Sequence, residues 1–219
     1  MSPRDEQLVL FTDRYRLGTN QAFQRALFTG QSLNAVTKVT ARLCRQGLLN
    51  RYPLIPPEDY FTPGPAACRQ LGLAIRKSEP LGPQSLPIDY AVLLYCTHGQ
   101  RSRLSHTELT TAMPWVTEDL LHLPYARTTA GLLELIRVDL GGTPQHVAKK
   151  AAADCSRRLE LPEFQQLVEH DQFQFVILTT TTSKARLIRQ AMQGLAWNST
   201  VRLHLATIPR LSFLHLSQL

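Results

Sequence analysis

The segment from Ser32 to Gly47, SLNAVTKVTARLCRQG, constrains this chain more than any other. Ser32 is a helix N-cap candidate and Gly47 a stop signal, so the run between them predicts one helix with both ends marked. Leu33, Val36, Thr40 and Leu43 recur at helical spacing on one side. Asn34, Thr37, Lys38, Ala41, Arg42 and Arg45 fall on the other. A helix so divided must bury its apolar side, and the flanking sequence offers the partners. Residues 5–16 (DEQLVLFTDRYR) predict a first helix with Leu8, Phe11 and Tyr15 available for one face, and Asn20 is a candidate cap for a second, QAFQRALF, that ends before Gly30. LLNRYPLI reads as a strand, PPED as a turn, YFTP as the returning strand and GPAACRQLGL as a closing helix. Three helices followed by a hairpin is the order of a winged helix-turn-helix, expected here over residues 1–77. The proline-rich stretch RKSEPLGPQSLP then predicts a linker at 78–86 and a second domain over 87–219.

Charge points the same way. Residues 1–77 hold 11 Lys/Arg against 5 Asp/Glu, net +6, whereas 78–219 hold 13 against 12, net +1. No acid lies between Asp13 and Glu58, yet seven bases do: Arg14, Arg16, Arg25, Lys38, Arg42, Arg45 and Arg51. Such a stretch concentrates positive potential and favours a polyanion. A helix entering the major groove uses short polar and long basic side chains on one exposed face: Asn pairs adenine, Arg pairs guanine, Thr touches a thymine methyl or a phosphate. Ser32, Asn34, Thr37, Lys38, Arg42 and Arg45 supply that set. Asn50, Arg51 and Tyr52, on the first hairpin strand, suit backbone or minor-groove contact. Double-stranded DNA is therefore the expected partner, and a homodimer the expected state, because one such module covers too little DNA for a specific site.

The second half predicts an α/β domain around a small mixed sheet, making the whole chain α+β. IDYAVLLYCTH reads as a helix and SRLSHTELTTA as a strand. GLLELIRVDL (131–140) reads as a strand and TPQHVAKKAAADCSRRLEL as a helix capped by Thr143. PEFQQLVEH reads as a short helix, FQFVILTTT as a buried strand, SKARLIRQAMQGL as a helix capped by Ser183, and VRLHLATI as a last strand. The tail RLSFLHLSQL, apolar at alternate places, predicts packing at an oligomer interface.

From TNQAFQRALF through SLNAVTKVTARLCRQGLLNRYPL to YFTPGPAACRQLG, the chain resembles the replication-relaxation family of bacterial and mobile-element proteins. Phe61-Thr62-Pro63-Gly64-Pro65 stands where that family often carries L-T-P-x-G after the wing, and departs from it in detail. GLLELIRVDLGG, the Ala/Lys/Arg-rich helix and FQFVILTTTTSKARLIRQAM continue the rhythm, so the resemblance spans residues 5–195. It implies a winged helix followed by a degenerate restriction-endonuclease-like core. It also implies a role in plasmid replication, relaxation or transfer, or in transcription of such genes.

Nucleases of that fold need a carboxylate after a proline, then an acid and a lysine one residue apart on a following strand. Here Tyr125 follows Pro124 and Gly141 stands two after Asp139, so the pattern is incomplete. Glu134 and Asp139 lie five apart on one strand candidate and point to opposite faces. Lys149 and Lys150 on the next helix could substitute for the missing lysine, but no enzyme activity is expected; a metal-dependent endonuclease and a winged-helix protein adaptor are the rival readings. The C-terminal domain is expected to serve dimerisation, DNA shape recognition or a protein partner. Cys44, Cys68, Cys96 and Cys155 form no CxxC pair, and the seven histidines show no ligand spacing, so neither metal nor cofactor is expected. His170-Asp171 reads as a surface or capping pair, Trp115 and Trp197 as packing anchors, and Ser183 with Lys184 and Arg186 as a helix start hospitable to phosphate. The N-terminus predicts no signal peptide and no apolar run is long enough to cross a bilayer, so a cytoplasmic protein that does not bind membranes is expected.

Overall fold

A computed structural model describes residues 1–195 and 197–216. The chain is mixed α+β and divides into two compact units, Met1–His98 and Gly99–Leu219. In the first, α1 (Pro3–Tyr15) is capped by Ser2, α2 (Asn20–Leu27) by Thr19 rather than Asn20, and α3 (Leu33–Arg45) by Ser32. The hairpin is β1 (Leu49–Ile55) and β2 (Glu58–Pro63), antiparallel, with Pro56 and Pro57 at its tip. Gly18, between α1 and α2, exchanges two backbone hydrogen bonds with Phe61 of 2.8 and 2.9 Å and so adds one bridging residue to the hairpin. The core beneath consists of Leu8, Val9, Phe23, Val36, Leu43 and Phe61, with their neighbours. Leu33, expected on the buried side of α3, is 41% exposed at the first position of the helix.

Two glycines join the hairpin to α4 (Pro65–Leu71). Gly47 ends α3 at φ +67, a conformation other residues avoid, and a Cβ on Gly64 would stand 2.1 Å from the Gly47 carbonyl oxygen. That approach lets Gly64 N–H donate to Leu48 O at 2.8 Å and Ala66 N–H to Gly47 O at 3.1 Å.

The division between the units falls after His98, not across the expected linker at 78–86. The reason is α5 (Ser85–His98). It packs against α1 and α2, and its Asp89 pairs with Arg16 at 3.1 Å. Residues 75–78 also fold back as a 3₁₀ turn, whose Ser78 carbonyl accepts hydrogen bonds from Asn50, Tyr52 and Thr62.

The second unit is a five-stranded sheet in the order β3-β4-β5-β6-β7: β3 (Arg101–Arg103), β4 (Tyr125–Thr128), β5 (Leu133–Val138), β6 (Phe173–Thr179) and β7 (Arg202–Thr207). The first three strands are antiparallel; β5, β6 and β7 are parallel. One face carries Tyr125, Leu135, Phe175 and Ile177. Against it pack α6 (His106–Ala112), α7 (Pro144–Leu159), α8 (Pro162–Glu169) and α9 (Thr182–Gln193). SRLSHTELTTA, expected as a strand, contributes only the end of β3 before it becomes α6: Ser105 and Glu108 form a capping box that starts a helix. The cap of α9 is Thr181, not Ser183. The tail expected to alternate forms α10 (Leu211–Leu216), and Ser217–Leu219 lie outside the described residues. No helix among the described residues is long and apolar enough to cross a membrane.

Candidate nucleic-acid interface

The docking of α3 on α2 decides which of its side chains face outward. Asn20, the first residue of α2, spans the two helices: its Oδ1 accepts from the Thr40 hydroxyl at 2.9 Å and its Nδ2 donates to Thr37 Oγ1 at 3.3 Å. Gln24 Nε2 donates to the Gln31 carbonyl at 2.8 Å and fixes the turn between them. With Val36, Thr40 and Leu43 buried, the residues at Asn34, Thr37, Lys38, Ala41 and Arg45 are all exposed. Their spacing of three or four residues makes one continuous stripe along the helix. Lys38 and Arg45 make no ion pair with any described residue. Thr37 also donates to Leu33 O at 3.0 Å, and the Ser32 hydroxyl accepts from Ala35 N–H at 3.2 Å as the cap.

The other sequence candidates are engaged within the fold. Arg42 points back towards α1: its guanidinium donates to both carboxylate oxygens of Asp5, at 2.5 and 3.3 Å, and to Gln46 Oε1 at 3.0 Å. The Asp5 side chain is only 8% exposed, and the hydrogen bond from Arg42 holds its carboxyl below the ordinary aspartate value against the opposing effect of burial. Arg51 donates to Asp59 across the hairpin, its Nε at 2.7 Å. Asn50 Nδ2 and the Tyr52 hydroxyl both donate to Ser78 O, at 2.8 and 2.7 Å. These four residues tie α1, the hairpin and the 3₁₀ turn together, and although Arg51 stays exposed its charge is already paired, so none of the four counts among the uncommitted side chains. Arg25, exposed at the end of α2 and without an ion pair to any described residue, joins Lys38 and Arg45 as an uncommitted cation.

Comparison with family models, curated proteins and solved structures finds no match for this chain.

In the second unit the two acids considered for metal chemistry are separate and each has its own cation. Glu134 is fully buried and accepts from Arg101 Nε at 2.9 and 3.1 Å and from Gln174 Nε2 at 2.6 Å. Asp139, beyond the far end of the same strand, accepts from the Thr179 hydroxyl at 2.7 Å and from Gly141 N–H at 3.0 Å, and pairs with Lys184 Nζ at 2.7 Å. The cation beside Asp139 is thus Lys184, whereas Lys149 and Lys150 are exposed on α7. The Tyr125 hydroxyl is a core group, donating to Leu120 O and accepting from Arg158 Nε at 2.8 Å. Among the described residues no group of three or more His, Cys, Asp or Glu could hold a metal ion. Trp115 and Trp197 stack edge-on against Phe164 and Phe175 as packing anchors. A cleft of about 690 Å³ opens near Trp115, Arg127, His170 and Arg202, where Glu163 and Asp171 balance the two arginines.

Proposed function

We propose that residues 1–98 contain a winged helix-turn-helix that binds double-stranded DNA with the exposed side of α3 in the major groove. The observation that carries this reading is the stripe Asn34, Thr37, Lys38, Ala41 and Arg45, acid-free, exposed, and set in orientation by the Asn20 hydrogen bonds to Thr37 and Thr40. Lys38 and Arg45 supply phosphate or guanine contacts, Asn34 and Thr37 reach base edges near the helix N-terminus, and Ala41 leaves room for close approach. Arg25 adds a phosphate contact from α2. The hairpin contributes less than a charged wing would, since Arg51 is neutralised by Asp59 and prolines occupy the tip.

The resemblance to the replication-relaxation family gives this activity its setting: a regulator of a bacterial or mobile genetic element, acting on replication, relaxation, transfer or transcription. The second unit is read as a nuclease-like core without catalysis, because the acid-x-lysine pattern is incomplete and Glu134 and Asp139 sit apart, each paired with its own partly exposed cation. Two copies of the chain would present two α3 helices to half-sites about one helical turn apart.

Fluorescence anisotropy with a labelled duplex tests the reading. At about 50 mM salt the full chain binds, and its affinity falls steeply as salt rises. Lys38→Ala with Arg45→Ala weakens binding and lowers the slope of log K against log salt by about 1.8, roughly 0.9 for each phosphate that is no longer neutralised. A chain that fails to bind any duplex at low salt overturns the proposal and favours a protein-interaction role for the same module.

A further inference from the structure

The second unit carries a cationic surface of its own. From Gln172 to Leu219 the sequence has no acid but five bases, and from Leu140 to Ala153 it has no acid and two lysines. The fold brings these two stretches together. Helices α7 and α9 each connect neighbouring parallel strands, so they run in the same direction, and they pack side by side on one face of the sheet. Their inner sides are Val147, Ala148, Ala151 and Cys155 on α7, and Ile188 and Met192 on α9. Their outer sides carry Lys149, Lys150, Arg186 and Arg189, all exposed.

None of these four makes an ion pair with a described residue, whereas every other cation of the two helices is engaged. Arg157 pairs with Asp119, Arg158 is buried against Tyr125, and Lys184 pairs with Asp139. The one acid of the two helices, Asp154, is buried against Arg137. At 1.5 Å of rise per residue, Lys149 and Lys150 lie within about 2 Å of each other along α7, and Arg186 and Arg189 within about 5 Å along α9. The cations therefore stand as two close pairs on two adjacent helices. Exposed Thr181, Thr182 and Ser183 flank them at the start of α9.

We propose that the outer face of α7 and α9 is a second phosphate-binding surface, and that its partner is a nucleic-acid backbone. Four unneutralised cations on a stiff scaffold fit a polymer of regularly spaced phosphates. An anionic bilayer fits less well: a membrane-surface helix inserts a continuous apolar side, and here Leu187 is the one large exposed hydrophobic residue of the two helices. The proposal stands apart from the reading of α3, and the two can fail separately.

The test uses the full chain in four forms: wild type, Lys38→Ala/Arg45→Ala, Lys149→Ala/Lys150→Ala/Arg186→Ala/Arg189→Ala, and all six changes together. Each is checked for an unchanged melting midpoint, since every altered side chain is exposed. Affinity for a duplex of about thirty base pairs is measured across a salt series. The quadruple change is expected to lower the salt slope by about three to four. It is also expected to abolish whatever binding the α3 double change leaves. A quadruple variant that matches its parent in affinity and slope on both backgrounds overturns the second surface and leaves α3 untouched. Loss with the quadruple change but none with the α3 pair supports the second surface and overturns the first. Sedimentation with phosphatidylserine vesicles that depends on the four residues, without any such dependence on duplex, overturns nucleic acid as the partner.

Discussion

Arg42→Ala separates a side chain that builds the interface from those that use it. Arg42 lies on the helix expected to meet DNA, yet its guanidinium is spent on Asp5, 37 residues earlier. Removing one partner of a fully buried ion pair costs about 3–5 kcal/mol, because the other charge is left in a poor environment. A fully exposed pair is worth about 1 kcal/mol at most. Here the carboxylate is buried while the Arg42 side chain is 41% exposed, so water screens the cation and the expected loss lies between, about 1–3 kcal/mol. Urea denaturation of wild type and variant at neutral pH measures it. The pH dependence carries a definite sign. The hydrogen bond from Arg42 depresses the folded-state value of Asp5 below 3.8. The stabilisation it reports is therefore complete above that unfolded value and lost as pH falls through the lower folded one. The gap between wild type and Arg42→Ala should be full near neutrality and should shrink in acid below about pH 4. Duplex affinity of folded Arg42→Ala should stay within about twofold of wild type, in contrast to Lys38→Ala with Arg45→Ala. Wild-type stability together with a large affinity loss would refute the assignment and return Arg42 to the DNA-facing set.

Three further perturbations have definite expected outcomes. Arg101→Ala leaves the fully buried Glu134 carboxylate with Gln174 but without the partly exposed Arg101 cation, and should destabilise the second unit by about 2–4 kcal/mol in chemical denaturation. Gly64→Ala drives a methyl group into the Gly47 carbonyl at 2.1 Å, backbone against backbone, and should lower the melting midpoint by an amount equivalent to at least about 2 kcal/mol. Burial pushes the Cys155 thiol up to about 12, so iodoacetamide near pH 8 should modify it, as read by mass spectrometry, only after denaturant is added.

What the sequence made legible was local. Ser32 caps α3 because its hydroxyl needs only Ala35 N–H, three residues on, and Val36, Thr40 and Leu43 share a face whatever lies opposite. The same holds for Thr143 ahead of Pro144, and for the apolar run of β6. The Ser105-x-x-Glu108 capping box was equally local, and reading it would have turned an expected strand into α6. The short β4 had no comparable signal: four residues, one of them Arg127, are recognisable as a strand only through pairing with β3 and β5.

Which cations remain free was decided at longer range. Sequence placed Arg42, Arg45 and Lys38 together on one helix face, and α1 then withdrew Arg42 through Asp5. Arg51 was partly legible: once Pro56-Pro57 is taken as the hairpin tip, Asp59 becomes its diagonal cross-strand neighbour, where opposite charges attract. The withdrawal of Asn50 and Tyr52 depended on a carbonyl at Ser78, beyond the closing helix, which no pattern near residue 50 announces. Net charge misled in the opposite direction in the second half. Its small net value over 78–219 averages acids gathered before Gln172 with an acid-free run after it. A partner responds to the potential at a surface, set by unneutralised groups within about a Debye length of roughly 10 Å, so the sum over a domain is the wrong quantity to read. Lys149, Lys150, Arg186 and Arg189 matter because two parallel crossovers put their helices side by side, while Asp119, Asp139 and Asp154 are already taken by other cations.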